Sequence, residues 1–268
     1  RPPRSTLFPY TTLFRSLMIY RSLGDRWGIA KNLGNLAILA GGAGCHAEAM
    51  RYLEESLMLY RQLGDRAGIA RSLHNISNVV YLMEDFERVL LLRQECLRIC
   101  REIGFRWGVA STLKHLGDVE KVLGHVQVAQ EHYQEALGLA DQLRSKELRV
   151  SILNSLGNLL LLKKTVGAAR RIYGEALQLA LETAMTPVGV DVLVGLAETF
   201  VEGGCDEQPL GWLEFAVAFQ GSDQQTRDKA KLVLERCTQR LTAERVMLLQ
   251  QQSFEVVADE ALKRVQGS

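Results

Sequence analysis

Proline is scarce where it would do most damage to helices. The five prolines stand at positions 2, 3, 9, 187 and 209, so none lies between Tyr10 and Thr186, and that stretch is open to long helices. The five cysteines are scattered. They show neither the density of a disulfide framework nor paired ligand spacing, which excludes a small stapled extracellular fold and predicts reduced thiols and a cytoplasmic location. No apolar run approaches the roughly 20 residues of a membrane helix; Leu159–Leu162, for example, stops at Lys163 and Lys164. No stretch reads as a secretory leader.

Charge of one sign is also lacking, with 32 Lys and Arg against 31 Asp and Glu. The first sixteen residues, RPPRSTLFPYTTLFRS, match the translation of a short-read sequencing adapter and are expected to be foreign to the natural protein. Removing Arg1, Arg4 and Arg15 leaves 29 basic against 31 acidic residues, or −2. Such a balance supports neither nucleic-acid nor membrane binding.

Motifs for chemistry are missing too. Gly41-Gly42-Ala43-Gly44 lacks the Lys and Ser/Thr of a phosphate loop, and no G-x-S-x-G or H-E-x-x-H occurs. His46, His74, His115, His125 and His132 fall at different repeat positions, so no metal site is expected. Cys96 and Cys100 share a helix face, where core packing is the expectation. The chain is read as a non-enzyme without a cofactor.

What is present is a repeat. YRSLGDRWGIAKNLGNLA from Tyr20 recurs as YRQLGDRAGIARSLHNIS from Tyr60 and CREIGFRWGVASTLKHLG from Cys100. It continues as ADQLRSKELRVSILNSLG from Ala140 and ALETAMTPVGVDVLVGLA from Ala180, forty residues apart throughout. A fixed period of this size marks one supersecondary unit stacked on itself. Gly24 and Gly64 are read as left-handed residues closing one helix, and Asp25 and Asp65 as N-caps of the next. Ser145, and Thr186 with Pro187 at the first helical position, replace those signals later. From Asp25 an inner helix runs to about Gly41 with Ile29, Leu33, Leu36, Ala37 and Ala40 on one stripe. After a turn near Gly44 an outer helix carries Ala49, Leu53, Ser56, Leu57 and Tyr60. Ala37, Ser77, Gly117, Gly157 and Ala197 are the small residues that let paired helices approach.

These residues resemble the tetratricopeptide repeat. The third unit carries its pattern at Leu113, Leu116, Gly117, Gly124, Ala129, Tyr133 and Ala136, and the fourth at Leu153, Leu156, Gly157, Ala169, Tyr173 and Ala176. The second departs from it at Glu84, Val89 and Arg93. The resemblance implies an all-α fold, a solenoid of antiparallel helix pairs forming an α-α superhelix. The forty-residue variant is similar to arrays in bacterial LuxR-type and other ATP-binding regulators. Residues 17–220 are expected to hold about five repeats plus a partial first helix, and residues 221–268 capping helices near Ser222–Leu241, Thr242–Gln251 and Ser253–Val265. Because Arg15–Arg26 parallels Glu55–Arg66, the repeat opens inside an outer helix and the natural protein is expected to extend upstream.

The resemblance further implies a partner groove at Lys31, Ile38, Arg71, His74, Asn78, Tyr81, Lys114, Asp118, Lys121, Asn154, Asn158 and Glu198. Its basic and amide character suits an acidic or extended protein segment or a companion domain. The expected function is an interaction scaffold, the sensory arm of a larger bacterial regulator. Two alternatives are the C-terminal part of a signal-transduction ATPase whose catalytic domain lies upstream, and a spacer that self-associates.

Overall fold

The computed structural model describes residues 4–201, 207–236 and 252–267, and among these it is helical throughout, with thirteen helices. They are α1 (Arg4–Leu23), α2 (Arg26–Gly42), α3 (His46–Leu63), α4 (Arg66–Leu82), α5 (Phe86–Glu102), α6 (Arg106–Val122), α7 (Val126–Gln142), α8 (Lys146–Leu162), α9 (Val166–Glu182), α10 (Thr186–Val201), α11 (Glu207–Ala218), α12 (Gln224–Arg236) and α13 (Phe254–Gly267). The chain divides into an N-terminal body, residues 1–125, and a C-terminal body, residues 126–268. In each, consecutive helices from α1 to α6 and from α7 to α12 pack on one another; α2 also meets α4, α8 meets α10, and α13 returns to α9, α10 and α11. This is the helix-pair stack the repeat predicts. The segment set apart at the N-terminus continues α1 from Arg4.

One device ends nine successive helices. A left-handed residue stands every 20 residues, at Gly24, Gly44, Gly64, Glu84, Gly104, Gly124, Arg144, Lys164 and Ala184, with φ between 52° and 81°. At all of these but Glu84, the amide that follows reaches back five residues, as Asp25 N to Tyr20 O (3.0 Å), Phe105 N to Cys100 O (2.9 Å) and Met185 N to Ala180 O (3.0 Å). That closure satisfies carbonyls the helix leaves unpaired. Asp25 and Asp65 then cap the next helix, accepting from Gly28 N and Gly68 N at 2.9 Å, and Ser145 accepts from Leu148 N at 3.3 Å. The fifth repeat differs from the sequence reading by one residue. Its inner helix already includes Thr186, so Met185 holds the cap position and Pro187 is second in the helix, where its missing donor still costs nothing.

The predicted buried stripe is present in α2, where Leu33, Leu36, Ala37 and Ala40 are buried, and in α3 at Ala49, Leu53, Ser56, Leu57 and Tyr60. The C-terminal body has a continuous core running from Leu153 through Tyr173, Leu193, Trp212 and Phe215 to Ala261. Its centre is a ring between two glycines. Tyr173 is fully buried, and a Cβ on Gly157 or on Gly195 would fall 2.5 Å from a ring carbon. Arg93 holds the equivalent place in the second repeat and is 2% exposed. The expected capping segments near 222–241 and 253–265 contain α12 and α13, whereas the helix expected at 242–251 lies outside the described residues.

Candidate partner-binding surface

The inner helices α2, α4 and α6 carry nine of the predicted groove residues, all in the N-terminal body. Lys31 lies over the Trp27 ring, its Nζ 5.1 Å from the centroid, and Ile38 is exposed. Arg71 donates from Nη2 to the Tyr60 hydroxyl at 2.7 Å and stacks over that ring. The Tyr81 ring meets Phe86 edge-on at 5.5 Å.

The remaining five join a network the sequence reading did not foresee. Buried Arg93 of α5 donates from Nη1 to His74 Nδ1 at 2.6 Å and from Nη2 to Asn78 Oδ1. Because a guanidinium can only donate, His74 must present a bare Nδ1 and carry its proton on Nε2. The His115 ring lies edge-on to His74 at 5.4 Å. The two histidines sit one step apart in repeat register, yet they meet because they come from neighbouring inner helices; the expectation that the histidines stay dispersed fails for this pair. Lys114 pairs with Asp118 at 2.9 Å, and His115 Nδ1 is 3.6 Å from the same carboxylate oxygen. Lys121 also acts on Asp118.

Electrostatics follow from this packing. Burial first, then Arg93 and His115, push His74 down to about 3, so it is neutral near pH 7. Burial lowers His115 as well. Burial alone would raise the Asp118 carboxyl, but Lys114, His115 and Lys121 outweigh it and hold the group well below the usual carboxylate range. Burial draws Arg93 down to about 10, which leaves it charged. Lys31, Arg71, Arg93, Lys114 and Lys121 outnumber the carboxylates of Asp65 and Asp118 that meet these groups, and the face is basic.

In the C-terminal body the predicted residues meet the chain's own helix α12. Asn154 Nδ2 donates to Asp191 Oδ2 at 2.6 Å. Asn158 Oδ1 accepts from Tyr173 Oη at 3.1 Å and from Lys229 Nζ at 2.8 Å, while Glu198 pairs with Arg236 at 2.6 Å. Lys229 and Arg236 both belong to α12, so here a basic helix already covers the inner face. Nothing in the period could announce that contact, because α12 lies outside the repeat.

The two core cysteines are buried as expected. Cys96 Sγ donates to Ala70 O at 3.4 Å and lies 3.6 Å from Thr112 Oγ1. No group of three or more His, Cys, Asp or Glu side chains is placed to hold a metal ion among the described residues, and none of the helices among them is long and apolar enough to cross a membrane.

Residues 28–102 match the tetratricopeptide repeat family model. Among curated proteins none matches the chain. Several solved structures share the fold. BtubC (BKLC) from P. vanneervenii is 17% identical with a TM-score of 0.66, covering 90% of this chain and 95% of that one. A Signal Transduction ATPase with Numerous Domains from Pyrococcus horikoshii, which has a tetratricopeptide repeat sensor, is 18% identical with a TM-score of 0.63, covering 90% of this chain and 36% of that one. A Rap protein complexed with Competence and Sporulation Factor is 14% identical with a TM-score of 0.66, covering 97% and 72%.

Proposed function

From a tetratricopeptide-type helical stack, a fold that serves as a protein-interaction scaffold, we propose that this chain binds an acidic, extended protein segment on the inner-helix face of its N-terminal body. The observation that carries the reading is the excess of cations there: Lys31 and Arg71 are exposed, Lys114 and Lys121 act on Asp118, and Arg93 is fixed by His74 and Asn78. Cations held in place in this way offer charged hydrogen bonds to carboxylates without first being ordered. The likeness to a signal-transduction ATPase with a repeat sensor, of which this chain spans 36%, supports placing the module as the sensory arm of a larger regulator.

The ion pairs decide which substitutions test it. Lys114 and Lys121 neutralise half-buried Asp118, so a glutamate at either would disturb the fold. Lys31 and Arg71 are exposed, and neither forms an ion pair with a carboxylate among the described residues. Length-matched acidic, neutral and basic decapeptides, titrated by fluorescence anisotropy, should rank acidic first. The double variant Lys31→Glu, Arg71→Glu should weaken the acidic peptides about tenfold, or about 1.4 kcal/mol, with the thermal midpoint held within a few degrees, and added salt should weaken wild-type binding. Equal affinity for all three peptide classes would sink the reading.

A further inference from the structure

The second and third repeats meet without two rings that close the junction before it. Between the first and second repeats, the Trp27 indole donates Nε1–H to Asp65 Oδ2 at 3.0 Å. The Tyr60 ring, 1% exposed, lies over Gly68, where any Cβ would collide with it, and Arg71 donates to its hydroxyl. Forty residues on, the positions of Trp27, Tyr60 and Asp65 hold Ala67, Cys100 and Phe105. Gly108 keeps the place of Gly68, and there the Phe105 ring, with the Cys100 sulfur beside it, lies against the glycine in place of the tyrosine.

What remains is a cavity of about 520 Å³ among α4, α5 and α6, wholly within the N-terminal body. Its size lies inside the roughly 300–1,000 Å³ of small-molecule sites. Phe105 and Trp107 stand at its mouth, 47% and 49% exposed, with their rings stacked at 6.1 Å and 28°. The lining carries no acidic side chain. Its polar members are donors: the Arg71 guanidinium, His74, and the hydroxyls of Ser111 and Thr112. Ser111 occupies the repeat position of Arg71, which in the preceding junction serves the tyrosine hydroxyl.

We propose that this cavity binds a small planar aromatic molecule carrying an acceptor oxygen, a carboxylate or a phenolic hydroxyl. The ring takes the volume that Phe105, although it replaces Tyr60 over the glycine, leaves unfilled beside Ala67 and Cys100, and the oxygen meets Arg71 and Ser111. A planar ring also matches the walls, since Phe105 and Trp107 offer faces for offset stacking. The inference goes beyond the acidic-segment reading and does not require it.

Isothermal titration of the 268-residue chain with 1-naphthoate, and with cyclohexanecarboxylate as a non-aromatic control of equal charge, tests it. Saturable one-site binding of the naphthoate is expected, with the control weaker by about tenfold or more. Refilling the cavity with Ala67→Trp and Cys100→Tyr, the residues of the preceding junction, should abolish binding and raise the thermal midpoint of the free protein. If Cys100→Tyr does not fold, Ala67→Trp alone decides. Lys31→Glu should leave naphthoate binding unchanged, so this proposal and the acidic-segment reading fail separately. Retained binding in the refilled variant overturns the proposal. So does the absence of heat with wild type at about 1 mM, a level that would register even an affinity near −4 kcal/mol. Binding of a tyrosine-containing peptide but not of the free ring overturns it too, and gives the cavity to a partner's side chain.

Discussion

At the scale of single residues, the two sharpest constraints are a ring and a proton. Tyr173 is fully buried between Gly157 and Gly195, whose backbones approach because neither bears a Cβ. Gly157→Ala places a methyl 2.5 Å from that ring. Although alanine is the better helix former, the clash should dominate and cost about 1–3 kcal/mol, read as a lower midpoint in urea unfolding. The proton concerns His74. Its folded pKa is pushed down to about 3, against an ordinary value near 6.5. Below pH 6.5 the unfolded chain therefore takes up a proton that the folded chain refuses, and stability falls from there towards pH 3. Asp118, held low, adds its loss only below the ordinary carboxylate range. Between pH 7.5 and 5 the protein should lose about 2 kcal/mol. His74→Gln keeps an acceptor for Arg93 and should flatten that slope in thermal melts. An unchanged slope would remove His74 as its source.

At the scale of helices, the junctions explain why the repeat could be read so directly. Gly24 and Gly64 mark the left-handed position because glycine adopts it without penalty. Glu84, Arg144, Lys164 and Ala184 adopt it as well, and sequence alone gave no sign of this beyond their spacing. An alanine in that conformation pays about 1 kcal/mol relative to its right-handed alternatives. Ala184→Gly should therefore raise unfolding stability by up to about 1 kcal/mol, measured by denaturant titration, whereas Gly64→Ala should lower it by a similar amount. Start signals were legible for the same reason: Asp25, Asp65 and Ser145 bond the amides their side chains were expected to reach. What was not legible came from contacts between helices distant in sequence. Arg93 could be recognised only as a departure from an aromatic position, and its fixation by His74 and Asn78 required the geometry of α4 and α5. The coverage of Asn158 and Glu198 by Lys229 and Arg236 spans 71 and 38 residues and involves an aperiodic helix.

At the scale of the molecule, the forty-residue register carries information beyond the fold. Aligning Trp27 with Ala67 and Tyr60 with Cys100 already shows two large side chains giving way to small ones beside a retained glycine, a signal of a cavity that only the packing of α4, α5 and α6 could confirm. The basic face was legible in part. Lys31 and Arg71 stand open as the pattern suggested, while Lys114 and Lys121 are engaged with Asp118 because i and i+4 on one helix are neighbours. The left-handed residues every 20 positions also fix how this gene can be rearranged. One added or deleted residue inside a helix turns everything after it by about 100° and carries the closing amide off its carbonyl. Copying or excising a block of 40 residues keeps the left-handed residues in step, though the side chains that meet at the new junction differ. The stretch from Gly24 to Ala184 is a modular cassette with one permitted step length, and its contents can change only by substitution within that frame.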